Sequence, residues 1–327
     1  MTSLILRRLA GWTAMIVIAT NATYLLASLF LDPRSNYRET RPVPSEERIA
    51  DALAPYNLDP RVPLWERWWT WLKGVVLHFD WGRSPTGNVV NAEIGHRALT
   101  SAQLVLLATV LSVVIGVGLG VVSALNQYRV VDRVLQGLSI ILLNVPTVVA
   151  ALLLVLAAIG LNDAVGTRVL FVTGDSSPEV SGFWATLGDR LAHLALPTIS
   201  LTLLGYVGHH LLQRSLLLDT IESDFVRTAR ATGLTRAQAV RRHALRASLI
   251  PTATNVAFSI PAIFTGAVLT ESIFGWHGMG EYFTQTLGRN DVHGVVAVAA
   301  FGALMTAIGA ILADVATAFL DPRVRLA

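Results

Sequence analysis

Between Ala98 and Leu125 the chain reads ALTSAQLVLLATVLSVVIGVGLGVVSAL, without one acidic or basic side chain. A bilayer's hydrocarbon core is about 30 Å thick, and a helix needs about 20 apolar residues to cross it. This stretch is long enough to span. Five others meet the same standard: Leu9–Leu31, Val134–Leu161, Leu191–Leu212, Thr252–Phe274 and Val295–Leu320. Composition agrees, since 53% of the 327 residues are apolar and 14% charged, where a soluble domain carries about 25% charged residues. The expected fold is therefore an all-α membrane protein with six transmembrane helices.

The first span follows Arg7 and Arg8 but is too long for the apolar core of a typical signal peptide, and no small-residue cleavage site follows. It is expected to stay as an anchor. Lys and Arg concentrate in cytoplasmic connections, which orients the chain. Residues 1–8, 126–133, 214–250 and 321–327 fall inside, and both termini with them. The 214–250 connection carries Arg214, Arg227, Arg230, Arg236, Arg241, Arg242 and Arg246 against Asp219, Glu222 and Asp224. The opposite side receives 162–190 and 275–294, both net acidic, and a long segment between the first two spans. The organisation is an N-terminal helix (1–31), an extracytoplasmic segment (32–97), a core of five transmembrane helices (98–320) containing the 214–250 loop, and a tail (321–327).

The extracytoplasmic segment opens with a proline-containing polar stretch, Asp32 to Pro44, expected to be extended. Then comes Trp65-Glu-Arg-Trp-Trp-Thr-Trp-Leu-Lys73. Tryptophan favours the membrane boundary, where its ring is buried and its N–H stays wet. The run predicts a helix lying on the outer leaflet before the second span; the alternative is an aromatic cluster inside a small cap.

Several chemistries are excluded. Without cysteine there is no disulfide, thiol catalysis or thiolate metal site. Gly116, Gly118 and Gly120 lie in mid-span, lacking the strand and acidic partner of a dinucleotide site. Gly116 and Gly120, four residues apart, instead predict close helix packing. No P-loop pattern occurs. Ionisable residues within spans are few: Glu271, His209, His210 and Asp314. Asp314 is expected to pair with Arg323 or Arg325, the histidines to face a neighbouring helix or a wet cavity, and Glu271 to bond backbone N–H groups of the turn Phe274-Gly-Trp-His-Gly-Met-Gly280. His277 and His293 lack ligand spacing. No catalytic or metal residue emerges, and no substrate-binding residue is assigned.

The 214–250 loop is the most informative. Ser223 is placed to cap a short helix and Gly233 to end it in the left-handed conformation. Between them lies Asp224-Phe-Val-Arg-Thr-Ala-Arg-Ala-Thr232, with Phe225 and Ala229 on one face. Thr235 and Gln238 form a capping-box pattern for a second helix running to Ile250, and Pro251 suits the first turn of span five. By pattern alone the short helix either presses into a partner's groove or rests on anionic headgroups.

At these residues the sequence resembles the membrane subunits of binding-protein-dependent ABC importers. Those carry a cytoplasmic Glu-Ala-Ala…Gly loop that docks on the ATPase. Gly233 matches that glycine, although Arg227, Thr228 and Ala229 stand where the general signature has Glu-Ala-Ala. Asp224 to Leu234 and His243-Ala-Leu-Arg-Ala-Ser-Leu-Ile-Pro251 resemble the oligopeptide/dipeptide permease version. So do Phe79-Asp-Trp-Gly-Arg-Ser84, Glu271 to Gly280, and Leu320-Asp-Pro-Arg-Val-Arg325. The resemblance is to the B-type subunit, and it implies the type I ABC importer permease fold. It also implies a homologous second permease, cytosolic ABC ATPases that hold the ATP and Mg, and an extracytoplasmic peptide-binding protein. No cofactor in this chain and no nucleic-acid partner are expected. The residues implied for ATPase coupling are Asp224, Phe225, Arg227, Thr228, Ala229, Arg230, Ala231 and Gly233. A nickel or other chelate importer shares the pattern; the scarcity of intramembrane acids and the basic 214–250 loop weigh against an ion-coupled secondary transporter, and the lack of paired catalytic groups weighs against a membrane enzyme.

Overall fold

The structure, a computed structural model, describes the backbone of residues 2–38, 40–178 and 180–320, with side chains except at 2–8, 257–266 and 312–320. Among the described residues it is all helix, with a single isolated bridge between Arg83 and Val89 and no strand. In chain order the helices are α1 (Thr2–Phe30), α2 (Ser35–Arg38), α3 (Glu46–Leu53), α4 (Leu64–His78), α5 (Val90–Leu125), α6 (Val130–Leu143) and α7 (Thr147–Val165). They continue with α8 (Phe183–Ile221), α9 (Asp224–Ala231), α10 (Arg236–Ala239), α11 (Leu245–Phe274), α12 (Met279–Gly288) and α13 (Val292–Leu320).

Among the described residues α1, α5, α7, α8 and α13 are long and apolar enough to cross a membrane. The 30-residue α11 occupies the place of the fifth predicted span. Two expectations change. Val134–Leu161 is not one helix: α6 stops at Asn144 and α7 starts after Pro146. Proline has no N–H and its ring clashes with a preceding helical turn, so the apolar run breaks there. The Asp32–Pro44 stretch is not wholly extended either, because Ser35–Arg38 forms one helical turn braced by Asp32, which accepts from Arg34 Nε at 2.7 Å. The tail 321–327, with Arg323 and Arg325, and the Asp314 side chain lie outside the described residues.

The chain divides into two compact units. The first joins residues up to Ala102 with Trp276–Ala307; the second joins Gln103–Gly275 with the chain from Ile308 onward. The first unit's core gathers Tyr24 and Ala27 of α1, Ile49 and Leu53 of α3, Leu58, Trp71 of α4, and Val292, Val295 and Val296 of α13. Tyr24 stacks on Trp71 at 4.6 Å. The turn after α11 is fixed here by Trp276, whose Nε1 donates to Thr100 O at 3.0 Å, and by Met279, whose N–H donates to Ser101 Oγ at 2.7 Å.

In the second unit α8 packs against α6, α7 and α11, and its contact with α5 uses the predicted glycines. A Cβ on Gly116 would lie 2.5 Å from Tyr206 O, and one on Gly120 would lie 2.8 Å from His210 O; Gly118 has nothing within 4 Å. Close approach of the two backbones thus requires glycine at the first two positions only. Phe274 is buried with Ala151, Ala158 and Leu196. Glu271 contributes its backbone carbonyl, which accepts from the N–H of Gly275, a left-handed residue at φ 57° that ends α11.

Candidate functional site

The loop between α8 and α11 is built from the predicted signals, with revisions. Ser223 occupies the cap position of α9 in extended conformation, but its hydroxyl does not cap. It donates instead to Thr220 O at 2.6 Å, satisfying a carbonyl at the end of α8. Gly233 has φ +98°, a region closed to most L-residues, and turns the chain as expected. Thr235 and Gln238 form the full capping box: Gln238 N–H donates to Thr235 Oγ1 at 3.3 Å and Thr235 N–H to Gln238 Oε1 at 3.0 Å.

The second helix differs more. It does not stop at Ile250 for a new helix to begin at Pro251. Helical backbone runs from Arg236 through a π-helical segment at Val240–Ala244 into α11, and Pro251 sits inside α11. An interior proline leaves the carbonyl four residues back without its N–H, a loss that transmembrane helices tolerate when neighbours re-satisfy the backbone.

Helix α9 divides into two faces. Val226, 2% exposed, packs with Ala124 of α5, Leu217 of α8, and Ala239, Val240 and Ala244; Ala229 is partly buried against the same group. Burying a side chain such as Val226 contributes about 1.5–3 kcal/mol. Phe225 stays 48% exposed, and Asp224, Arg227, Thr228, Arg230 and Ala231 are exposed with it. So the shared Phe225–Ala229 face is split: Ala229 leans on the protein's own core and Phe225 projects from it. Arg227 Nη1 approaches Asp224 Oδ1 at 3.5 Å, both side chains exposed, a pair of little energetic weight. The projecting surface is an aromatic ring with a ring of charge and threonine around it, held on an apolar seat.

A polar hub that the sequence reading missed braces that seat. Asp132, 1% exposed, receives Arg214 Nε at 2.8 Å, Arg214 Nη2 at 2.9 Å, Gln136 Nε2 at 2.8 Å, Tyr128 N–H at 2.9 Å and the hydroxyl of Ser123. The Arg214 guanidinium, opposed by burial and helped by the other donors, holds the Asp132 carboxyl far below the usual carboxylate range. Ser123 adjoins Ala124, and Arg214 lies one turn before Leu217; both neighbours line the seat of α9. The hub therefore fixes the ends of α5, α6 and α8 around α9.

Among the described residues singled out from sequence, His210, His277 and His293 have polar partners, while His209 packs against a helix with its Nδ1 buried and without a hydrogen bond. His210 Nδ1 meets Ser139 Oγ at 2.7 Å, and His209 lies against Gly116, so both face neighbouring helices. His277 pairs with Glu281 at 2.9 Å, while His293 meets Arg83 O at 2.7 Å. No metal-holding group of three occurs among the described residues. A cavity of about 50 Å³ in the first unit is lined by Glu93, Arg97, Tyr282, Gln285 and Asp291, among others. That volume accommodates water, not a peptide. Its Arg97 is already engaged by Glu93 at 2.7 Å and by Glu281 and Gln285 at 3.2 Å.

Residues 116–326 match the family described as "Binding-protein-dependent transport system inner membrane component". Over 327 residues, all of both chains, the protein is 40% identical to the oligopeptide transport system permease protein OppB of Mycobacterium tuberculosis. It is 29% identical over 295 residues to the dipeptide transport system permease protein DppB of Escherichia coli, covering 86% of each chain. A solved structure of the MetNI methionine ABC transporter, titled as inward facing, aligns with TM-score 0.51 at 13% identity, over 70% of this chain and 96% of that one.

Proposed function

The chain belongs to the family of binding-protein-dependent transport system inner membrane components, and on that premise we propose that it is a permease subunit of an ATP-driven peptide importer. Its membership makes it a multi-pass membrane subunit of an ABC importer. The peptide cargo follows from full-length similarity to a relative named for oligopeptide transport. The chain pairs with a homologous second permease, and the solute path runs between the two. An extracytoplasmic binding protein delivers peptide to the side carrying residues 32–97. Cytosolic ATPases supply ATP and Mg; this chain is a transport component with no cofactor of its own. Its termini and the 214–250 loop face the cytoplasm.

The observation that carries the mechanism is the two-faced geometry of α9. Val226 and Ala229 root the helix in the permease core. Phe225 and the surrounding Asp224, Arg227, Thr228, Arg230 and Ala231 remain outside, and Gly233 closes the helix. A short helix so mounted transmits displacement: a motor that moves the outer face moves α5, α8 and α11 through the inner one. ATP-driven closure of the ATPases then shifts the bundle between outward-open and inward-open states. Reversal of both Arg227 and Arg230 to Glu is expected to abolish peptide-stimulated ATP hydrolysis in the reconstituted complex. Unchanged stimulation would remove these residues from the coupling surface.

A further inference from the structure

The Trp-rich helix α4 does not treat its tryptophans alike. Trp71 is buried in the first unit's core and donates from Nε1 to Trp81 O at 3.2 Å. Trp68 donates from Nε1 to Asn21 Oδ1 of α1 at 2.8 Å. Trp65 and Trp69 are left outside, and so is Val76, 71% exposed. These three, with half-buried Leu72, recur at intervals of four, three and four residues and so form one stripe along the helix. Glu66, Thr70 and Lys73 form the adjacent polar stripe. The ammonium of Lys73 lies 5.3 Å from the centre of the Trp69 ring, at the boundary between the two.

What α4 rests on decides what covers this stripe. Its inner face meets α1 at Asn21 and Tyr24. Beyond those contacts α1 continues to Phe30 and still exposes Leu25, Leu26, Leu29 and Phe30. At 1.5 Å per residue, Tyr24 lies about 9 Å inside that end and Asn21 about 13 Å. The portion of α1 that α4 touches therefore lies within its apolar, membrane-spanning length, and the outer stripe of α4 extends sideways from that level. Helices of this kind sink about 5–10 Å into the boundary between headgroups and acyl chains. A lysine at the edge lets its stem lie along the apolar surface while its charge reaches the headgroups.

We propose that the Trp65–Trp69–Leu72–Val76 flank of α4 is a lipid-docking surface, seated in the leaflet at the C-terminal end of α1, with Lys73 reaching phospholipid phosphates. The segment between the first two spans is thereby moored to the bilayer on one side and to its own core on the other, and α3 and the following loop are held at fixed height above the membrane.

Because the chain has no cysteine, single-cysteine spin labels test this directly in the assembled transporter in nanodiscs. Nitroxides at Trp69→Cys and Val76→Cys should be relaxed by oxygen and shielded from a water-soluble nickel chelate, with the reverse at Thr70→Cys. Nickel accessibility at 69 and 76 equal to that at 70 would overturn the proposal. Shielding from both reagents would overturn it too, by showing a protein partner on the flank. In the chain with its native tryptophans, brominated lipids should quench part of the fluorescence, and Trp65→Phe with Trp69→Phe should measurably reduce that quenching, with Trp12 of the first span and exposed Trp184 accounting for a remainder. Quenching unaffected by that double substitution would count equally against it.

Discussion

Arg214 and Asp132, 82 residues apart, form a two-point contact, Nε to Oδ1 at 2.8 Å and Nη2 to Oδ2 at 2.9 Å. Arg214 is the first residue of the loop connection by sequence and Asp132 the last acid before the third predicted span, so this pair ties the two connections together beneath the seat of α9. Removing one partner of such a buried pair costs about 3–5 kcal/mol, because the other charge is left unmatched. Asp132→Ala should lower thermal stability by that order, and Asp132→Asn, which keeps one acceptor, by less. The folded carboxyl titrates well below its ordinary value, so its stabilisation is full above about pH 4 and falls away only as acid drives pH lower. Thermal melts from pH 8 to pH 5 should therefore show no loss attributable to this pair.

Phe225 and Val226 are neighbours with opposite fates, which lets the proposed docking role be separated from folding. Phe225→Ala should leave the melting temperature nearly unchanged and depress peptide-stimulated ATP hydrolysis several-fold. Val226→Ala should lower stability by about 1–2 kcal/mol through loss of buried methyl groups. Equal stability losses in the two variants would show that Phe225 is buried in the assembled permease core.

The three glycines of α5 give a graded set. A Cβ at Gly116 or Gly120 meets backbone of α8 at 2.5 or 2.8 Å, and one at Gly118 meets nothing within 4 Å. Gly116→Ala and Gly120→Ala should each destabilise by about 1–3 kcal/mol, the ordinary cost of overpacking. Gly118→Ala should be neutral or slightly stabilising, since alanine is the better helix former.

Asp291 caps α13 by accepting from Gly294 N–H at 2.9 Å. It is buried, and burial pushes its carboxyl up to about 6. A carboxyl raised in the folded state favours folding below its unfolded value and loses that contribution as pH rises to the folded one. Stability referable to Asp291 should thus decline between about pH 4 and 6. Asn caps as well as Asp and carries no charge to desolvate. Asp291→Asn should raise the melting temperature at pH 7.5 and flatten the profile over that interval; an unchanged profile would argue against the burial effect.

Much of this was legible because it is local. The spans, the α9 boundary at Gly233, the Thr235–Gln238 box and the Gly116–Gly120 crossing each depend on residues within a turn or two of each other. Ser223 was misread because a serine before a helix has two uses, and here the preceding carbonyl of Thr220 took its hydroxyl. The break before α7 was present in Pro146 but masked by the apolar run around it. The Asp132 hub had no sequence signature: an acid and an arginine beside spans look the same whether they meet each other or water. Nor does Val240-Arg-Arg-His-Ala244 announce a π-helical segment.

Helix α8 has 39 residues, about 58 Å at 1.5 Å each, nearly twice the hydrocarbon thickness it crosses. Its interior proline, Pro197, stands about 30 Å from Leu217, which packs with Val226 of α9. A swing of about 10° over that arm sweeps its far tip about 5 Å, roughly one helical turn of travel. Were α9 displaced as proposed, about 5 Å of travel at its end of α8 would correspond to about 10° about Pro197 and to proportionally smaller travel nearer the proline, so the length of this one helix would set the gear ratio of the proposed coupling.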